Sequence, residues 1–240
     1  MIDLSRSEAL LGAAAMARLR AAHVAVIGVG GVGSWCAEAL VRTGVGRLTL
    51  MDDDLVALSN VNRQCPATAG TLGGLKVEAM RARLLSIDPD CAVTAVAARY
   101  TADGGALDLS AFDCVVDAID SVDCKASLIL AATEAGVPLV SSMGAARRLD
   151  PTKVELRRFD KVAGDGLARA LRQRFRRLGR FPAAKFVCAV SAEAPVPAEA
   201  GEKGSAMPVT CAFGMALAAE TMRILVCIRR RGRRRDGVLQ

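Results

Sequence analysis

Two cations and three carboxylates follow a glycine turn at spacings that suit chemistry on a bound nucleotide. The turn is Gly28-Val29-Gly30-Gly31-Val32-Gly33, and behind it come Asp52, Asp54, Arg63, Lys76 and Asp120. Glycines at 28, 30, 31 and 33 let backbone N–H groups approach phosphate where a helix begins. The carboxylate of Asp52, at the end of the next strand, can accept hydrogen bonds from both ribose hydroxyls, which suits either NAD or ATP. The cations separate the two. Hydride transfer has no need of two positive charges beside a triphosphate, whereas attack of a carboxylate on ATP builds charge on the α-phosphate and on the departing pyrophosphate. Arg63 and Lys76 are therefore assigned to phosphate, and the chemistry implied is adenylation of a carboxylate.

The residues around these extend the candidate site. Asp54, Ser59, Asn60 and Gln64 lie on a polar segment, 53–64, that runs along the carboxyl edge of the expected sheet and supplies further nucleotide contacts. Asn62 and Gln64 read equally as loop hydrogen-bonders. In the apolar run 112–118 strand alternation keeps Asp117 inside, while Asp120 falls beyond the edge, where a carboxylate can hold Mg²⁺ on a triphosphate. Ser121 joins the nucleotide contacts; the alternative for both residues is capping of the next helix. His23 is the only histidine and sits ahead of the first strand, which excludes a histidine-based triad.

The elements that must position these groups form an α/β pattern, Rossmann-like, with a mostly parallel sheet covered by helices on both faces and a small C-terminal extension. Residues 1–20 read as an amphipathic helical lead-in. Strands are expected at 24–27, 47–51, 92–97, 112–118, 137–142 and 186–190, and an alternating edge strand at 153–159. Helices are expected at 34–42, 76–87, 125–135, 166–178 and 209–228. The domain reading is an ATP-binding core over 1–160 and a substrate-facing or dimerisation extension over 161–228. The extension contains a mobile loop at 191–207 with linker composition, and a disordered basic tail follows at 229–240. The helix at 209–228 is long enough to cross a bilayer, but its small residues and Glu220 favour a core or interface role over membrane attachment.

Composition sets limits. The 240 residues are 52% hydrophobic and only 3% aromatic, with Ala, Val, Leu and Gly dominant, as suits parallel strands buried on both faces. Recognition of nucleic acid by stacked aromatic platforms is excluded. The formal charge of +7 is concentrated, because six arginines and one aspartate fall between 229 and 236. A second arginine group lies on the helix at 166–178 and just after it. Such clusters attract anionic partners, or are simply solvated faces. Eight cysteines form no CxxC pair, which argues for reduced, mostly buried thiols in a cytoplasmic protein and against structural zinc. Cys188 is read as a buried thiol rather than a nucleophile.

The motifs together resemble the ThiF/MoeB/HesA group, relatives of ubiquitin-activating enzymes. They are G-V-G-G-V-G-S at 28–34, D-D-D-L-V-A-L-S-N-V-N-R-Q at 52–64, Lys76 and V-V-D-A-I-D-S at 115–121. Within the group, A-I-D-S at 118–121, Lys125-Ala126 and S-S-M-G-A-A-R-R-L-D-P-T-K at 141–153 resemble the tRNA threonylcarbamoyladenosine dehydratase branch, as does the absence of CxxC pairs. The resemblance implies ATP and Mg²⁺ as cofactors, with Asp120 as the metal ligand. It also implies a homodimer in which Arg6, within R-S-E-A-L-L-G at 6–12, reaches the partner's triphosphate. Its implied partners are tRNA carrying threonylcarbamoyladenosine and a sulfur-transfer protein. Adenylation of the C-terminus of a ubiquitin-like or sulfur-carrier protein is the alternative, and an NAD-dependent reductase the reading from another class.

Overall fold

A computed structural model describes residues 2–101, 107–197 and 204–227. The β-branched and small-residue runs form seven strands in one sheet: β1 (His23–Ile27), β2 (Arg47–Met51), β3 (Ala92–Val96), β4 (Cys114–Asp117), β5 (Leu139–Ser142), β6 (Val154–Arg158) and β7 (Val187–Ser191). Their order is β3-β2-β1-β4-β5-β7-β6, all parallel except β6, which runs antiparallel to β7 at the edge. The order of connection reverses between β1 and β4. In an open α/β sheet the crevice beyond the strands' carboxyl ends at that point is where ligands bind.

Among the described residues seven α-helices accompany the strands: α1 (Ser5–Leu11), α2 (Ala13–Ala21), α3 (Gly33–Arg42), α4 (Lys76–Ile87), α5 (Val122–Glu134), α6 (Gly166–Leu178) and α7 (Met207–Cys227). One core layer packs Met16, Leu40, Val77, Met80, Leu84, Phe213 and Leu217 of α2, α3, α4 and α7 against Val24, Val26 and Leu48. The opposite layer packs Ile129, Leu171 and Phe175 of α5 and α6 against Ile27, Val115 and Leu139. Both faces are covered, which is why the central strands read as unbroken apolar runs.

One expectation is corrected. The lead-in is two helices, because Gly12 at φ +82° breaks it. Within the stretch read as an extension, β7 is inserted between β5 and β6, and α7 packs on α3. That approach is close, since a Cβ at Gly214 would lie 2.6 Å from the Val32 carbonyl. The one candidate membrane span among the described residues, α7, has half of its most apolar window buried inside the fold. The basic tail at 229–240 and the middle of the 191–207 segment lie outside the described residues. The flanks of that segment reach over the sheet edge, where the Val196 N–H donates to the Arg147 carbonyl and the Asn62 side chain to the Ser205 carbonyl.

Candidate active site

The glycine turn leaves β1 at Gly28, where φ is +90° and a Cβ would stand 2.7 Å from the Ala118 carbonyl. Only glycine fits there. The turn is then tied to the end of β2: the Val29 N–H donates to Asp52 Oδ2 at 2.7 Å, and Asp52 Oδ1 accepts the Asp54 N–H at 2.9 Å. Ser34, in the first turn of α3, donates to the Gly30 carbonyl and accepts the Cys65 N–H, so the polar segment is pinned to the same helix. Trp35 Nε1 donates to the Arg63 carbonyl at 2.9 Å.

Arg63 lies over the turn, its Cγ 3.3 Å from where a Cβ of Gly31 would be, and its guanidinium donates to the Ser59 carbonyl and Asn62 Oδ1. Lys76 opens α4. An isolated Leu55–Leu75 bridge and the Lys76 N–H donating to the Asp54 carbonyl set the two segments side by side. The lysine is 5% exposed, and its Nζ lies 2.6 Å from Asp54 Oδ2. Desolvation makes such a cation strongly interacting with any anion admitted beside it.

A cavity of about 910 Å³ opens at the crossover, and its walls include Gly28, Gly30, Gly31, Asp52, Asp54, Asn60, Arg63, Gln64, Lys76, Asp120 and Ser121. Four buried atoms of its wall residues have no hydrogen-bond partner among the described residues: Gln64 Oε1, Tyr100 Oη, and Arg148 Nε and Nη1. Unsatisfied buried polar atoms gathered at one cavity are what a polar ligand would complete. Burial also raises the Tyr100 phenol above its usual range. Asp120 is exposed on the cavity wall and has no hydrogen bond or ion pair among the described residues. A free, hard oxygen donor in that position fits Mg²⁺. The carboxylates of Asp52, Asp53 and Asp54 lie within 4.8 Å of one another but are engaged by the turn, Arg99 and Lys76 respectively.

Three candidates lie outside the cavity wall. Gly33 serves packing instead: a Cβ there would stand 1.9 Å from the Gly28 carbonyl, so the residue sets the approach of α3 to the turn. Ser59 is exposed and contributes its backbone carbonyl to Arg63. Arg6 stands exposed on α1. Asn60 lines the cavity, yet its Oδ1 accepts the Ala57 N–H and shapes the turn. Ser121 is the N-cap of α5 without a side-chain capping bond.

Sequence reading passed over several wall residues, namely Arg99, Tyr100, Asp165 and Thr210. It also missed the support beneath Asp120. Lys125 and Asp117, both fully buried, pair at 2.9 Å; Ser141 Oγ donates to Asp117 Oδ2, and Lys125 Nζ donates to the Ile119 carbonyl. This network holds the β4 exit from below. Cys188 is buried beneath it, and burial pushes its thiol well up, so it is no nucleophile. His23, bonded to Thr49 Oγ1 and edge-on to Phe112, is structural.

A glycine turn at a sheet crossover, with cations and a free carboxylate around it, defines a nucleotide-binding α/β protein, and residues 4–235 match the ThiF family, to which the chain belongs. Among its relatives, the tRNA threonylcarbamoyladenosine dehydratase of Bacillus subtilis is 41% identical over 74% of this chain and 70% of its own. That of Escherichia coli is 43% identical over 70% of this chain and 63% of its own. Crystal structures of the E. coli enzyme with AMP and with ATP superpose with TM-scores of 0.86 and 0.85 at 36% identity, covering 92% of this chain and 93% of theirs. The molybdopterin-synthase adenylyltransferase of Salmonella typhimurium is 38% identical over 55% of this chain and 52% of its own.

Proposed function

We propose that this protein uses ATP to adenylate the carboxylate of threonylcarbamoyladenosine in tRNA and closes the product into a ring. The observation that carries the reading is the convergence of Arg63, Lys76 and the uncommitted Asp120 on the cavity that the glycine turn opens. It is supported by relatives that bear the dehydratase name and by the ATP and AMP complexes of one of them.

In the first step a carboxylate oxygen of the threonyl side chain attacks the α-phosphorus, and the bond to the bridging oxygen breaks to release pyrophosphate. The glycine turn donates backbone N–H groups to phosphate, Asp52 orients the ribose, and Arg63 and Lys76 stabilise charge on the phosphates, where it grows in the transition state. Asp54 keeps Lys76 aimed. Asp120 would hold Mg²⁺, which when bound screens the charge of the leaving pyrophosphate. In the second step an oxygen or nitrogen of the carbamoyl group attacks the activated acyl carbon, the acyl C–O bond to AMP breaks and a carbamoyl N–H proton passes to water, so the nucleoside loses one water overall. Arg6 acts from the partner of a homodimer, a sulfur-transfer protein belongs to the same reading, and the reduced cysteines suit a cytoplasmic setting.

Incubation of the purified protein with ATP and tRNA carrying threonylcarbamoyladenosine is expected to yield a nucleoside lighter by one water, read by mass spectrometry after digestion. An unchanged nucleoside, with pyrophosphate release stimulated instead by a small carrier protein, would support the carrier reading.

A further inference from the structure

The cavity extends past the nucleotide end. The glycine turn follows β1, Asp120 follows β4, and the loop 143–148 follows β5, so that loop stands two strand spacings from the turn, roughly 10 Å, on the far side of Asp120. Arg148 of this loop lines the cavity and is only 4% exposed. Its Nε and Nη1 have no hydrogen-bond partner among the described residues, and its Nη2 lies 3.9 Å from Asp165 Oδ2, beyond hydrogen-bond distance. Asp165 is already engaged: Oδ1 accepts the Ala168 N–H as the cap of α6, and Oδ2 accepts the Gly144 N–H.

A desolvated guanidinium with so little compensation is costly unless an anion completes it. The chain nevertheless enforces the arrangement. Arg147 takes a left-handed φ of +60°, its N–H donating to the Gly204 carbonyl and its own carbonyl accepting the Val196 N–H, so the loop is fixed on both sides of Arg147 and Arg148 is kept inside. Arg63 and Lys76 already serve the phosphate end. The anion that remains to be held, two strands away, is the carboxylate of the second substrate, and planar guanidinium suits planar carboxylate.

We infer that Arg148 is the carboxylate-binding residue of the acceptor subsite, with Asp165 as its positioning residue, and that it selects an acidic over a neutral acceptor. The inference rests on the adenylating reading above. Its test is binding of N6-threonylcarbamoyladenosine and of the matching carboxamide to the full chain, loaded with a non-hydrolysable ATP analogue. The wild-type protein is expected to prefer the carboxylate at least tenfold, and Arg148→Met to lose that preference while binding the ATP analogue as before. Arg148→Gln, which keeps a polar head in the buried position, replaces Arg148→Met if the latter does not fold, with the same loss expected. A preference retained in these variants, or absent from the wild type, overturns the inference. Carboxylate preference without ring closure on tRNA sustains the subsite and overturns only the dehydratase reading.

Discussion

Arg63 and Lys76 are held in different ways, and the difference governs what each variant should do. Arg63 is anchored by neighbouring oxygens on its own turn, from Ser59 and Asn62, while Lys76 is anchored by a carboxylate that it shares with any incoming phosphate. Arg63→Ala removes a donor without disturbing the core, because the arginine is only half-buried and Trp35 bonds to its backbone carbonyl. Its turnover is expected to fall about 100- to 1000-fold in steady-state assays, as for loss of one transition-state donor, with the unfolding midpoint unchanged. These residues, with Asp52 and the glycines, were legible in the sequence because they lie in short motifs whose spacing carries the chemistry. The burial of Arg148 and Tyr100 was not. That burial leaves polar atoms of both without a hydrogen-bond partner among the described residues, and it appears only when distant segments meet.

At the scale of elements, α3 is the rigid support of the site. Its first residue, Gly33, touches the turn, and its middle residue, Glu38, is buried and accepts from Arg83 Nε of α4 at 2.5 Å, Arg42 Nε at 2.8 Å and the Cys65 thiol at 2.9 Å. Gly33→Ala forces a Cβ against the Gly28 carbonyl, whereas Gly30→Ala meets nothing nearer than 4.0 Å. Thermal unfolding should therefore show Gly33→Ala destabilised by about 1–3 kcal/mol or more and Gly30→Ala folded normally. Burial works against ionisation of Glu38, but the bonds from Arg83, Cys65 and Arg42 outweigh it and lower the carboxyl to about 2. Burial and the Glu38 hydrogen bond push the Cys65 thiol up to about 12. Because the folded pKa of Glu38 lies below its ordinary value of 4.5, its contribution is full above that pH and is lost as pH falls through about 2. Between those limits Glu38→Gln should flatten the loss of stability, by on the order of 1–3 kcal/mol, in acid-unfolding curves.

The same scale shows what periodicity could read. The bounds of β2, α4 and α6 coincide with the sequence expectation, because each is bracketed by turn residues and a clear apolar period. The Gly12 break went unread, since Ala- and Leu-rich helices flank it on both sides. The Glu38 cluster joins residues 27 and 45 positions apart, and no local pattern reports such a meeting.

Across the whole molecule the sheet is continuous from β3 to β6, and its crossover gathers residues from β1 to α7 at one edge. The sequence reading sets a boundary near residue 160, where the specific motifs end. In the sheet, β7 completes parallel pairing with β5 and offers its other edge to β6, and α7 closes the core over α3. Long-range pairing of this kind leaves no trace in composition. The apolar length of α7, which alone suits a bilayer, is explained by the close packing it makes with α3.

The central claim is that an oxygen of the acceptor carboxylate becomes bonded to the α-phosphorus of ATP. It is tested most directly by supplying tRNA whose threonylcarbamoyladenosine carboxylate is labelled with heavy oxygen and weighing the nucleotide released. The account predicts AMP carrying one heavy oxygen, formed in step with the cyclised nucleoside. Label in inorganic phosphate alongside ADP, or unlabelled AMP beside cyclised product, would contradict it.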